Sequence, residues 1–194
     1  MIGNSLFTGN LVEMTSLNPE KDMDAMSSWT ADQEFVKEFL EGNFHLHAAL
    51  ELKKAIAEKI KKADERHSAY YFALRPVGKP ELIGLLVFGW LWGPQQCGRI
   101  FLFFEDADAQ VLYGRESLEL GLRYAFMELS LHRLWTELSE HNPQKMLLFE
   151  KAGFLREVQR KEALFFDGKY FDQLDYSILK PEWKKLQEEV MNEK

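Results

Sequence analysis

Two stretches of this chain combine residue types that suit a phosphorylated ligand. In the first, the apolar run 100–104 reads as a strand, a turn covers 105–113, and Gly114 leads into an amphipathic helix over 115–130. The first turn of a helix presents N–H groups without an intrahelical acceptor, and the macrodipole adds partial positive charge, so such a junction can grip a phosphate. In the second, Asn142 precedes Pro143. Asparagine caps free N–H groups, and proline at the first helical position gives up none that was needed. Gly153 is placed to end that helix, since it accepts the left-handed conformation after the last turn.

Other chemistries lack their residues. There is no Gly-x-x-x-x-Gly-Lys phosphate loop, no Gly-x-Ser-x-Gly elbow and no His-Glu-x-x-His pair. His45 and His47 are two apart, whereas a metal pair on a helix needs a spacing of three or four, so no metal is expected. Cys97 is the single cysteine. It excludes an intramolecular disulfide and a cysteine-based zinc cluster, and fits a reducing, cytoplasmic setting.

The elements that must position these stretches follow from periodicity. A first strand is expected over 6–13, amphipathic helices over 19–29 and 32–40, and a longer one over 46–66 with Leu52, Ile56, Ile60 and Ala63 on one face. Strands at 70–75, 81–92 and 97–105, separated by Pro76-Val-Gly-Lys-Pro80 and Gly93-Pro94, suggest an antiparallel meander. After Gly114, Leu118, Leu122, Ala125, Phe126 and Leu129 recur at three to four residues and predict one face laid on a sheet. A strand at 132–139, a hairpin turning at Asp167-Gly168 between 155–166 and 169–179, and a closing helix from Pro181 complete the chain.

The 194 residues form a single domain in this reading, with no internal repeat or polar linker. A formal charge of −7 argues against a nucleic-acid partner, because contact with the phosphate backbone rests on Lys and Arg. The longest apolar run, 82–92, is about half the length needed to cross a bilayer, and the first ten residues show no charged-then-apolar leader, so neither membrane insertion nor secretion is expected. With 15 Phe, 6 Tyr and 5 Trp, an aromatic core or cleft is expected.

The order of these elements resembles the GNAT superfamily of acetyl-CoA-dependent N-acetyltransferases. The segment Asn142-Pro-Gln-Lys-Met-Leu-Leu-Phe-Glu-Lys-Ala-Gly-Phe154 is similar to that family's Asn-x-x-Ala-x-x-Leu-Tyr-Glu-Lys-x-Gly-Phe, and Leu129-Ser-Leu-His-Arg-Leu134 to its Leu-Gly-Leu-His-Arg-Leu. With Gly168-Lys-Tyr-Phe-Asp172, Leu179-Lys-Pro-Glu-Trp183 and Trp29-Thr-Ala-Asp-Gln-Glu-Phe35, the likeness is closest to the branch that includes the ribosomal-protein alanine acetyltransferases. It implies an α/β fold, a mixed, mostly antiparallel sheet of about seven strands with helices on both faces. The family's cofactor signature, Gln/Arg-x-x-Gly-x-Gly/Ala, falls on Ala109-Gln-Val-Leu-Tyr-Gly114 and keeps only its last position.

The resemblance implies a site as well. The pantetheine of acetyl-CoA would lie along the fourth strand at Phe103, Phe104 and Glu105, with the pyrophosphate on the backbone N–H groups of Val111, Leu112, Tyr113, Gly114 and Arg115, and with Gln110, Asn142 and Lys151 beside it. Glu105 is the first choice for the base that deprotonates the amine, with Glu137 and His141 as rivals. Trp29 and Tyr70 are the expected acceptor-binding residues, within or near the variable early segments. The family tyrosine that protonates the thiolate is Phe149 here, which leaves Tyr113, Tyr176, water or no acid for that step. The implied function is transfer of an acetyl group to a protein N-terminus or a small amine, with a homodimer possible; the alternative is a catalytically silent relative that binds a ligand or partner without transfer.

Overall fold

A computed structural model describes residues 6–40, 46 and 48–192. In chain order the elements are β1 (Val12–Ser16), α1 (Met23–Trp29), α2 (Gln33–Phe35, continued by a wider helical turn Val36–Leu40), α3 (Ala49–Arg66), β2 (Tyr70–Pro76), β3 (Gly84–Trp92) and β4 (Cys97–Phe104). There follow α4 (Ala107–Arg123, continued by the wider turn Tyr124–Glu128), β5 (Arg133–Ser139), α5 (Pro143–Lys151), β6 (Leu155–Phe166), β7 (Lys169–Leu179) and α6 (Lys180–Asn192). One seven-stranded sheet runs β1-β2-β3-β4-β5-β7-β6, with β4 and β5 parallel and every other neighbour antiparallel. The expected meander of β2, β3 and β4 and the mixed sheet are therefore present.

Alternation along the central strands sends their side chains into two cores. Leu86, Phe88, Ile100 and Leu102 meet Leu118, Phe126, Phe149 and Trp183 of α4, α5 and α6, while Leu85, Val87 and Phe103 meet Met26, Phe35, Leu52 and Ile56 of α1 to α3. Most of β3 is buried, as a strand covered on both faces must be. The predicted faces of α3 and α4 are the buried ones. Among the described residues no helix is long and apolar enough to cross a membrane.

Two expected boundaries fail for identifiable reasons. The strand expected at 6–13 begins only at Val12, because the N–H groups of Asn10, Leu11 and Val12 donate to the Glu116 carboxylate of α4 at 2.7, 2.7 and 2.9 Å, which holds the preceding segment in a turn. More consequential is α4, which starts at Ala107 and not after Gly114. Asp106 caps it, its carboxylate accepting from Ala109 N–H at 2.8 Å. Position 112, where the family signature places its first glycine, is Leu, so nothing there breaks the first turns and the helix propagates through the expected loop.

Candidate active site: the cleft between the fourth and fifth strands

The parallel ladder of β4 and β5 is short. Cys97 pairs with Arg133, Gly98 with Leu134 and Arg99 with Trp135, and beyond these the strands part. The parting leaves the second half of β4 without a strand on one edge, and a cavity of about 190 Å³ opens at its end. Phe103, Phe104 and Glu105 line it from β4, Gln110 from α4, Asn142 and Lys145 from the start of α5, and Trp29, Asp32 and Glu34 from the α1–α2 side. Sequence reasoning singled out Phe103, Phe104, Glu105, Gln110, Asn142 and Trp29, and the structure brings these six together.

At the α5 side Asn142 acts as expected, its Oδ1 accepting from Lys145 N–H at 3.0 Å. Its Nδ2 donates to Glu34 Oε2 at 3.3 Å, and the buried Lys145 ammonium donates to Glu34 Oε1. Both partners of this ion pair are only 5% exposed. Burial works against ionisation of Glu34, yet Lys145, with help from Asn142 and His141, holds its carboxyl below the ordinary value. Lys145 Nζ also stands 5.0 Å from the centroid of the Phe103 ring. Glu34 and Lys145 were not singled out from sequence. The signal was present, since Glu34 sits in the Trp-x-x-Asp-x-Glu stretch and Lys145 replaces the alanine of the family segment.

The three candidate bases differ in what surrounds them. Glu105 faces the cavity, and among the described residues no cation pairs with it; burial first, and the neighbouring Asp106 second, raise its pKa. Glu137 is held between Arg99 Nη2 at 2.9 Å and Arg160 Nη1 at 3.0 Å. His141 places Nδ1 2.7 Å from Ser139 Oγ, Nε2 3.8 Å from Glu34 Oε2, and its ring against Phe166 at 4.4 Å between centroids.

The pyrophosphate grip expected on Val111 to Arg115 requires correction. These residues lie inside α4, where each N–H faces the carbonyl four residues earlier, as Gln110 N–H already does toward Asp106 at 3.2 Å. Val111 and Leu112 point outward, 69% and 57% exposed, and Tyr113 packs against the core on the α4 face. Gly114 serves packing: a Cβ there would stand 2.9 Å from Leu148 Cδ2 of α5. Among the described residues no acceptor meets the first-turn amides of Ala107 and Asp108, which are flanked by Glu105, Asp106 and Asp108 itself. An anion is poorly placed among three carboxylates. Arg115, paired with Glu119 at 2.9 Å, and Lys151 instead line a groove of about 340 Å³ where α4, α5 and α6 meet.

Position bears on two further expectations. Tyr70 lies away from the cleft, lining a different cavity with Phe7 and Tyr124, because β2 is two strands removed from β4. Phe149 is fully buried edge-on to Phe154, and Tyr176 is buried with its hydroxyl donating to Glu150 at 2.8 Å, its pKa pushed up to about 12 by burial and that carboxylate. Neither ring reaches the cleft lining. His45 and His47 lie outside the described residues; among the described residues no group of three or more His, Cys, Asp or Glu side chains is arranged to hold a metal.

Comparison with known proteins agrees with this architecture. The family described as the acetyltransferase (GNAT) domain matches residues 12–155. Among curated proteins of Bacillus subtilis (strain 168), the probable N-acetyltransferase YjcK is 29% identical over 119 residues, 61% of this chain and 66% of its own length, just under two thirds. The uncharacterized N-acetyltransferase YnaD is 28% identical over 163 residues, 84% of this chain and 91% of its own. In fold, the chain is similar to the spermidine N-acetyltransferase of Vibrio cholerae, solved with CoA and spermine, with a TM-score of 0.73 over 89% of this chain and 98% of that one at 20% identity.

Proposed function

The chain belongs to the acetyltransferase (GNAT) family, and from that premise we propose that it is an acetyl-CoA-dependent N-acetyltransferase whose acceptor is a primary amine, either a protein N-terminus or a small molecule, bound together with the donor in the β4–β5 cleft. The observation that carries the reading is the parting of β4 and β5 beyond Arg99 and Trp135 above a cavity bordered by Glu105. An open strand edge fits an extended pantetheine arm, which would lie along Phe103 and Phe104. The phosphate end does not fit helix amides here, and Arg115 and Lys151 are the side chains offered to it as charged donors. Bound acetyl-CoA would supply an acyl group activated as a thioester.

The chain's own contributions follow from chemistry. An amine attacks only when uncharged, so its proton must leave first; an α-amine, with a pKa near 8 against about 10.4 for lysine, asks much less of a base. Glu105 takes this role because it faces the cavity and is held by no ion pair, unlike Glu137. Its raised pKa makes it a better proton acceptor once ionised. Backbone N–H groups on the open edge of β4 are donors for an oxygen that gains negative charge, and the phenylalanines keep water from the reacting carbonyl.

The test is calorimetric titration with acetyl-CoA, followed by thiol release with added amines. Micromolar binding and amine-dependent release are expected, with Glu105→Gln lowering kcat/KM about 100-fold and removing an acid limb that lies above the ordinary carboxylate range. Binding without release would support the second reading, a silent relative, which the unbroken α4 helix and the buried Phe149 favour. No binding at millimolar acetyl-CoA would overturn the transferase reading.

A further inference from the structure

The buried pair of Glu34 and Lys145 stands where the family segment has a small alanine, and nothing in acetyl transfer asks for it. We propose that the Glu34 carboxylate and the face of Phe103 form an ammonium-recognition subsite in the cleft, that Lys145 is its built-in occupant, and that the amine this protein takes is a di- or polycation, one of whose ammonium groups replaces Lys145 Nζ. That this amine is an acetyl acceptor rests on the function proposed above; the subsite itself does not.

Recognition of an ammonium in a water-poor cleft needs a carboxylate and gains from an aromatic face, and both are already engaged by one here. Lys145 Nζ donates to Glu34 Oε1 and stands 5.0 Å from the Phe103 centroid. Asn142 orients the second oxygen of Glu34 from 3.3 Å, so the carboxylate is fixed whether or not the lysine stays. Asp32, Glu105 and Asp106 line the same cavity of about 190 Å³, in which Lys145 is the one cation among the described lining residues. Four carboxylates against one ammonium make the lining formally −3 when all are ionised. Such a lining repels a phosphorylated group and favours a ligand with positive charges spaced along a chain, one at Glu34 and the others toward the acids at the cavity mouth. A ligand ammonium can displace that of Lys145, because lysine is a flexible stem with a compact charge.

Titration calorimetry without any acyl donor tests this, with spermidine and butylamine as probes and the full chain as protein. Wild type is expected to bind spermidine, more weakly as salt rises, and to bind butylamine negligibly. Lys145→Met keeps the stem and removes the charge; it should bind butylamine at least tenfold more tightly than wild type, and the amine should raise its thermal midpoint. The double variant Glu34→Gln/Lys145→Met should lose that gain. A folded Lys145→Met that gains nothing, or a gain that persists in the double variant, overturns the proposal. Should Lys145→Met fail to fold, Phe103→Leu decides: spermidine affinity falls several-fold if the ring face is part of the subsite and is unchanged if it is not. Because no donor is present, failure of acetyl transfer leaves these outcomes intact, and their failure leaves the transferase reading standing.

Discussion

The helices α4 and α5 both begin at the cleft, and both are capped by a side chain, Asp106 for one and Asn142 for the other. They differ in charge and in commitment. The start of α4 carries Glu105, Asp106 and Asp108, and its later amides are spent on an unbroken helix. The start of α5 turns the Lys145 ammonium into the cleft and delivers Asn142 to Glu34. Helix dipoles alone would make the two ends equivalent anion sites. The side chains make α4 acidic and leave α5 as the end that supplies hydrogen-bond donors, so a helix terminus recognises what its first-turn residues permit and not what its dipole favours.

The strongest break of this contrast is Lys145→Ala. It leaves a buried carboxylate without its ammonium, and removal of one partner of such a pair costs about 3–5 kcal/mol. Urea denaturation should show that loss, and adding Glu34→Gln should recover more than half of it. Restoring the signature glycine of α4 comes next. Leu112→Gly places a glycine in a helical position, at about 1 kcal/mol relative to a good helix former, so a loss of about 1 kcal/mol is expected. The same change should tighten acetyl-CoA binding if the first turns of α4 open and release their amides. Equal binding would mean that the helical start is no handicap.

That second variant also marks where reading the sequence stopped working. The segment from Asn142 to Phe154 folded as its cap and its Gly153, at φ +95°, require, because both helix-end signals agreed with the family pattern. The segment from Ala109 to Gly114 reads as a turn when Gly114 is taken as the helix start, while its own residues, Ala, Gln, Val, Leu and Tyr behind an Asp cap, favour helix. The cap decides, and Gly114 serves packing inside the helix. Glu34 and Lys145 are 111 residues apart, and no periodicity links them; only the packing of α2 against the start of α5 makes them a pair. Glu105 was legible since strand ends project into clefts, and Tyr70 was misplaced since strand order cannot be seen in the chain.

A smaller effect separates the two caps. Asp106→Ala and Asn142→Ala each remove one cap, worth about 1 kcal/mol. Asn142 also donates to Glu34 at 3.3 Å, so its loss should cost more than that of Asp106 in the same denaturation series. Equal losses would show that the contact to Glu34 contributes nothing to the positioning of that carboxylate.

The smallest change in stability should come from Arg115→Ala with Lys151→Ala, and it bears most directly on where an anion goes. Among the described residues Arg115 pairs within the helix, with Glu119 one turn on, and both side chains are well exposed, so its removal should shift stability by no more than about 0.5 kcal/mol. Lys151 is likewise exposed, at the end of α5. If the amides of α4 are spent and its first turn is acidic, the phosphates of acetyl-CoA must find side-chain cations, and the groove lined by these two residues is where the proposed function would put them. The double variant should then raise the dissociation constant of acetyl-CoA several-fold at low salt, with the difference shrinking as salt screens the charges. An unchanged constant would return the anion to the start of α4, and with it the equivalence of the two helix ends that their side chains argue against.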